Sequence, residues 1–398
     1  MASTSSTSTD GHLNIRPMVH GSDKKLNFGA YITGLDLNNA SDAEVDQLRE
    51  AILRHKIVVI KGQQAEKPDK NWEMIKKLDP MHHMITQEEF GQLFHPTGEG
   101  LIAMLKLATV PTTEHGHIHL MGKGYQGDDH YGLKKLNLGE AFAGNYYSKP
   151  LAEEDFRAGV TRFQSWHMDG PLYKVHPPYI SSLRFIQLPD GEQTVEWADG
   201  SGLSLKTKPG RTAFFSTSQL YDMLTDEERA MVDNSAVEYM YYPYEWIRGC
   251  RGNPNGLNVA DEGREKPLDA MEEIARDERW TKTYPMVWFN ELTKEKSLQV
   301  QPNCVRRLLI RRSADQKEPE IIEGPERVRE FMNKLQQRIV RPEYVYVGPE
   351  EEGDHVFWYN WGMMHSKIDY PIAYGPRIVH QGWIPSHRVP RGPTAVAH

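Results

Sequence analysis

Glycine and proline punctuate this chain at short intervals, and that spacing most narrows what it can fold into. With 32 Gly and 25 Pro in 398 residues, the stretches between them mostly have the length of a strand or a short helix. Apolar residues alternate in YISSLRFIQLP, QTVEWADGSG, LSLKTKPGRTAFFST, EYVYV, DHVFWYNWGMMH and PRIVHQGWIP, and period-two alternation predicts strands. YPMVWFN and KSLQVQP are expected to pair. FGAYITGLDLNNAS reads as a strand running into a helix cap at Ser41, with Glu44 completing a capping box, so DAEVDQLREAILRHK is helical. IVVIKG follows as a short buried strand, and HGHIHLMGKGY alternates as another. Further helices are predicted in TQEEFGQLF, in TDEERAMVDN capped by Thr225, and in PERVREFMNKLQQRIV with Pro325 near its start. The pattern is mainly β with α, a jelly-roll-type barrel carrying helical extensions. Residues 26–390 are expected to form one domain with a polar insertion near 249–280, because strand patterns resume beyond that loop. Residues 1–25, opening MASTSSTSTDGH, read as a disordered tail.

Composition excludes several function classes. A net charge of −8 and pI near 6.1 argue against nucleic acid or an anionic membrane as partner. No apolar run reaches the roughly 18 residues of a membrane span, and the N-terminus lacks the features of a secretory signal. Cys250 and Cys304 are the two cysteines; they support neither a disulfide framework nor a cysteine zinc site, and suit a cytoplasmic location. Homo-oligomerisation is left open. A small-molecule substrate is the expected partner, and the metal-competent residues are His and carboxylate.

RFQSWHMDGPLY sets His167 and Asp169 two residues apart, so both point to one side of an extended segment. Two His and one carboxylate on one face of an octahedron leave three positions open, which is what an oxygen-activating metal needs. The third ligand must come from elsewhere, and His365 is the candidate, at the far end of the strand read in DHVFWYNWGMMH. Arg377 lies twelve residues on, in PRIVHQGW. A buried guanidinium there would hold a carboxylate bidentately, and a dicarboxylate co-substrate gripping metal at one end and Arg377 at the other would satisfy both. Thr212, in PGRTAFFST, is placed to supply a hydroxyl to the same ligand. Read without context, each residue has a blander alternative: a solvated loop pair for His167 and Asp169, a structural histidine, an ordinary ion pair, a strand threonine.

The order His-x-Asp, then Gly-x-Thr-x-Phe-x-Ser, then a distal His followed by Arg resembles the taurine dioxygenase (TauD/TfdA) family. Within it, FGAYITGLDL, TRFQSWHMDGPLY, QTVEWADGSG, YPMVWFN, SLQVQP, EEGDHVFWYNWGMMH and PRIVHQGW look closest to a fungal, xanthine-dioxygenase-like branch. The resemblance implies a double-stranded β-helix core, and an Fe(II)- and 2-oxoglutarate-dependent dioxygenase that uses O2. It makes His167, Asp169 and His365 the metal ligands, and Arg377, assisted by Thr212, the partner of the 2-oxoglutarate distal carboxylate.

For the substrate, His117, His119, His355, Phe357, Gln381 and Trp383 are the candidate contacts. Members that oxidise xanthine place amide side chains against the purine; this chain keeps Gln381 but has Trp383 two residues later. A Lys that those members carry falls at about Gly139 here. The expectation is therefore hydroxylation, desaturation or cyclisation of a small polar metabolite in secondary metabolism, an amino acid rather than a purine. Xanthine hydroxylation to urate is the same-class alternative, and a catalytically silent metal- or metabolite-binding barrel is the alternative of another class.

Overall fold

A computed structural model describes residues 12–79, 81, 108–110, 118–139, 142–170, 176–260, 263–274 and 282–393. The N-terminal strand β1 (Asn14–Pro17) pairs antiparallel with β2 (Ala30–Thr33). The expected disordered tail to residue 25 is therefore too long, because the backbone of β1 has a ladder partner. Ser41 and Glu44 close the anticipated capping box and start α1 (Asp42–His55). α1 links β2 to β3 (Ile57–Ile60), which run parallel, as a helical crossover requires. α2 (Pro68–Leu78) follows. Leu48, Ile52, Trp72 and Ile75 from these helices share one apolar cluster with Val58, Ile60 and Phe357 of the sheet.

The remaining strands that build the site are β4 (Ala108–Val110), β5 (Ile118–Tyr125), β6 (Ile180–Gln187), β7 (Thr212–Ser216), β8 (Tyr346–Gly348), β9 (His355–Tyr359), β10 (Met363–Lys367) and β11 (Arg377–Trp383). A large sheet runs in the order β1-β2-β3-β9-β6-β11-β5-β4, and a second sheet in the order β8-β7-β10. His167 extends the second sheet through an antiparallel bridge to His365. DHVFWYNWGMMH is therefore two strands rather than one. The chain turns at Asn360–Gly362 and passes from the large sheet to the second, which leaves His365 mid-strand in β10.

Alternation gives the large sheet two unlike faces. Arg184 is registered opposite both His355 and His380, and Leu183 opposite both Val356 and Gln381. One face, with Val58, Ile60 and Phe357, lies under α1 and α2. The other, with Val59, Leu183, Phe185, Val356, Trp358 and Val379, packs against Phe214 and Met363 of the second sheet. The space between the sheets belongs to this inner face.

Elsewhere the helices over Asp226–Asn234, with Thr225 and Glu228 as a capping box, and over Pro325–Gln336 form where the sequence places them. Val287–Phe289 and Lys296–Leu298 pair antiparallel. The 249–280 region contains a helix over Leu268–Ile274. Its Leu257, Asn258 and Val259 are buried, and the Gly256 carbonyl accepts from the Trp166 amide at 2.9 Å. That part of the loop buttresses the segment carrying His167. The helix predicted in TQEEFGQLF lies outside the described residues. No helix among the described residues is long and apolar enough to cross a membrane.

Candidate active site

The His167–His365 bridge is the scaffold of the site. Each residue's amide donates to the other's carbonyl at 2.9 Å, and the two imidazole centroids stand 4.1 Å apart. Asp169 joins them, and one ligand atom from each of the three residues lies within 4.8 Å of the others. The Asp169 Oδ1 is 3.5 Å from His365 Nε2. Asp169 and His365 are buried. His167 donates from Nδ1 to the Ser165 carbonyl at 2.7 Å, which leaves the Nε2 lone pair for a metal. Burial and the neighbouring His365 hold the His167 imidazole at about 4, so it is neutral at ordinary pH. Burial pushes the Asp169 carboxyl up, but His365 and His167 outweigh it and hold it below the usual carboxylate value. Nitrogen donors beside a carboxylate match the donor set of non-haem iron(II).

Side-chain amides, which sequence reasoning did not single out as a group, hold this triad. Asn360 Oδ1 accepts from the Asp169 amide, and its Nδ2 donates to the Asp169 and Pro178 carbonyls, each at 2.9 Å. Gln301 Oε1 accepts from the Met168 amide at 3.3 Å, while Gln299 Nε2 donates to the Asn360 carbonyl at 3.1 Å. The available signal was the pair of glutamines at alternate positions of the SLQVQP stretch, polar where a core strand would be apolar. Phe214 stacks on His365 at 5.8 Å, and Trp358 lies 5.0 Å from the same ring.

Arg377 faces the inner space, its Nε donating to the Gly210 carbonyl at 2.7 Å and its Nη2 to Thr212 Oγ1 at 3.4 Å. Its guanidinium lies over the Phe185 ring at 5.4 Å. Burial lowers its pKa to about 10, so it remains charged at neutral pH. No acidic side chain pairs with Arg377 among the described residues. One neighbouring cation is already engaged, since Lys123, registered opposite Arg377, pairs with Asp369 at 3.0 Å and donates to the Tyr370 carbonyl at 2.7 Å. A dry, uncompensated guanidinium is costly, and a carboxylate ligand beside Thr212 would complete it.

The substrate candidates divide. His119 and Trp383 share the inner face with Gln381, and their rings are 5.8 Å apart. Gln381 directs its amide at the Asp169 carboxylate, with Nε2 3.1 and 3.2 Å from its two oxygens. His355 and Phe357 are misplaced by the sequence reading. They lie on the other face of the sheet, registered with Arg184 and Ser182. There His355 Nδ1 meets buried Glu66 at 2.8 Å and its ring stacks on Phe357 at 4.1 Å. Strand parity excludes them from the inner space, because Val356 and Trp358 occupy the positions that point inward. His117 lies outside the described residues.

The family profile described as "Taurine catabolism dioxygenase TauD, TfdA family" matches residues 15–383. The chain is 52% identical over 386 residues to the alpha-ketoglutarate-dependent dioxygenase fc-dox of Phomopsis amygdali, covering 96% of this chain and 94% of that one. It is 31% identical over 361 residues to an alpha-ketoglutarate-dependent xanthine dioxygenase of Emericella nidulans, covering 89% and 92%. Among solved structures, AAD-2 in complex with Mn(II) and N-oxalylglycine superposes with a TM-score of 0.56 at 16% identity, over 95% of this chain and 99% of that one. A taurine dioxygenase from Burkholderia xenovorans superposes with a TM-score of 0.54 at 17% identity, over 96% and 91%. With the His-Asp-His cluster and the buried Arg377 on facing sheets, these matches make the chain a member of the TauD/TfdA family, an alpha-ketoglutarate-dependent non-haem iron dioxygenase that uses Fe(II), 2-oxoglutarate and O2.

Proposed function

We propose that His167, Asp169 and His365 bind the iron, that Arg377 and Thr212 hold the distal carboxylate of 2-oxoglutarate, and that the enzyme oxidises a small polar metabolite. The observation that carries this assignment is the buried charge of Arg377, which finds a hydroxyl and carbonyls but, among the described residues, no carboxylate. Bound iron(II) with 2-oxoglutarate supplies an oxidant from O2 while the co-substrate becomes succinate and carbon dioxide. The chain's own residues provide position and dryness. Arg377 fixes the co-substrate's far end, Asn360 fixes the Asp169 backbone, and Phe214 and Trp358 keep water from His365.

We retain a metabolite bearing an amine and a carboxylate, such as an amino acid, as the substrate class, with hydroxylation as the default outcome and desaturation or cyclisation from the same oxidation. His119 supports this reading as a carboxylate partner and Trp383 as an aromatic wall. His355 and Phe357 no longer support it. The xanthine alternative draws on the 31% identical relatives. It asks for amides aimed at a purine edge, whereas Gln381 Nε2 faces Asp169 and Trp383 carries no amide. Succinate formation measured across amino acids, sulfonates and purines tests the assignment: stimulation by an amino acid supports it, and stimulation by xanthine alone refutes it. No stimulated turnover with any compound, in a protein that binds metal, would favour the silent barrel. We read the two facing sheets as the double-stranded β-helix core of this family. The free thiols Cys250 and Cys304 accord with the cytoplasm.

A further inference from the structure

We propose that Gln381 is a positioning residue for the metal centre: it orients the Asp169 carboxylate toward iron instead of reading the organic substrate. The inference rests on Asp169 being a metal ligand, and goes beyond that assignment to what holds the ligand. Gln381 Nε2 stands 3.1 Å from Oδ1 and 3.2 Å from Oδ2 of Asp169, and both side chains are buried. Oδ1 is the oxygen that also faces His365 Nε2, at 3.5 Å, so Oδ1 lies on the metal side. Gln381 reaches both oxygens, and so fixes the plane of the carboxylate while Oδ1 faces the metal side.

The two residues differ in how firmly their backbones are fixed. Gln381 sits within β11, paired on one side with Leu183 of β6 and on the other with His119 of β5. Asp169 lies beyond the single His167–His365 bridge, where the Asn360 side chain secures its peptide groups. Asn360 holds the backbone on either side of Asp169, and the Gln381 amide spans both carboxylate oxygens. A neutral amide suits this task. It donates across the two oxygens and fixes the plane of the carboxylate, yet leaves the negative charge of Asp169 to the metal, which a Lys or Arg would partly cancel. Hydrogen-bonded carboxylate ligands of this kind typically lose roughly 10- to 100-fold in metal affinity when the outer partner is removed. It follows that selectivity for the organic substrate passes from Gln381 to side chains such as His119 and Trp383.

The test is Mn(II) titration of the metal-free protein, followed by the electron paramagnetic resonance of free Mn(II), with neither 2-oxoglutarate nor organic substrate present. Gln381→Met keeps the length of the side chain and removes its donors, and Gln381→Leu serves if Gln381→Met does not fold. Folding is checked by circular dichroism. The Mn(II) dissociation constant should rise roughly 10- to 100-fold, with partial recovery in Gln381→Asn. A folded Gln381→Met or Gln381→Leu that binds Mn(II) like the parent overturns the positioning role. His365→Ala separates the two claims. If it binds Mn(II) like the parent, the triad assignment itself fails; if it loses Mn(II) while the Gln381 variants keep it, only the role of Gln381 fails.

Discussion

Arg377 and His355 lie on the two strands that flank β6 in one sheet, yet their loss should read out in opposite ways. Arg377→Ala removes the charged partner proposed for 2-oxoglutarate in a dry site, a loss worth about 2–5 kcal/mol. The 2-oxoglutarate KM should climb roughly 30- to several-thousand-fold, and Arg377→Lys should recover only part, since an ammonium lacks the planar fork. Steady-state kinetics at saturating metal decide this, and an unchanged KM in Arg377→Ala would remove the assignment. His355→Ala, by contrast, should leave the KM of both co-substrate and substrate unchanged. It strips buried Glu66 of its 2.8 Å hydrogen-bond partner and leaves it Arg184 at 3.6 Å, so denaturant unfolding should show a loss of about 1–3 kcal/mol. A raised substrate KM with intact stability would return His355 to the active site. The sequence could not make this distinction. Both faces of β9 are covered, one by helices and one by the second sheet, so every residue of HVFWY is buried. The alternation that normally labels the inner face is then silent.

At the scale of elements, the legible parts were those fixed by local chemistry. The capping box at Ser41, the cap at Thr225 and the Pro325 helix start depend on residues close in sequence, and each appears where it was read. What escaped was set by distant partners. β1 is ordered because β2 pairs with it, and the strand through His365 is broken because its halves belong to different sheets. Gly122 is a further case. A Cβ there would stand 2.3 Å from the Arg377 carbonyl, a backbone atom that cannot step aside while β5 and β11 stay paired. Gly122→Ala should therefore force the strands apart beside the co-substrate site, costing about 1–3 kcal/mol as overpacking does. Thermal unfolding should show that loss, and the 2-oxoglutarate KM should rise with it, while Mn(II) affinity stays at the parent value. A variant as stable as the parent with an unchanged KM would mean that the strands accommodate the methyl group. Ser41→Ala is the matching local control: about 0.5–2 kcal/mol of stability lost, and kinetic constants unmoved.

For the molecule as a whole, the polar cluster on the helix-covered face should set how stability responds to acid. His380 Nε2 lies 2.7 Å from His130 Nε2, and Arg184, His355 and Glu66 complete the charged and titratable surroundings. Burial, followed by His130, Arg184 and His355, holds His380 well below its ordinary value of 6.5. Burial and Arg184 likewise lower His130. In the folded protein His380 is therefore neutral where the unfolded chain would already carry a proton. Below pH 6.5 the unfolded state binds more protons, so stability is full above that pH and falls as the solution is acidified toward the folded-state value. His380 alone contributes a slope that starts at about half of its limit at pH 6.5 and approaches about 1.4 kcal/mol per pH unit on further acidification. Unfolding of the metal-free protein by urea should give a steep loss of stability from pH 6.5 to 5.5. His380→Leu, which has nothing to protonate, should be flatter over the same interval. Parallel slopes in parent and variant would show that His380 is not the group being titrated, and would shift attention to the other buried histidines.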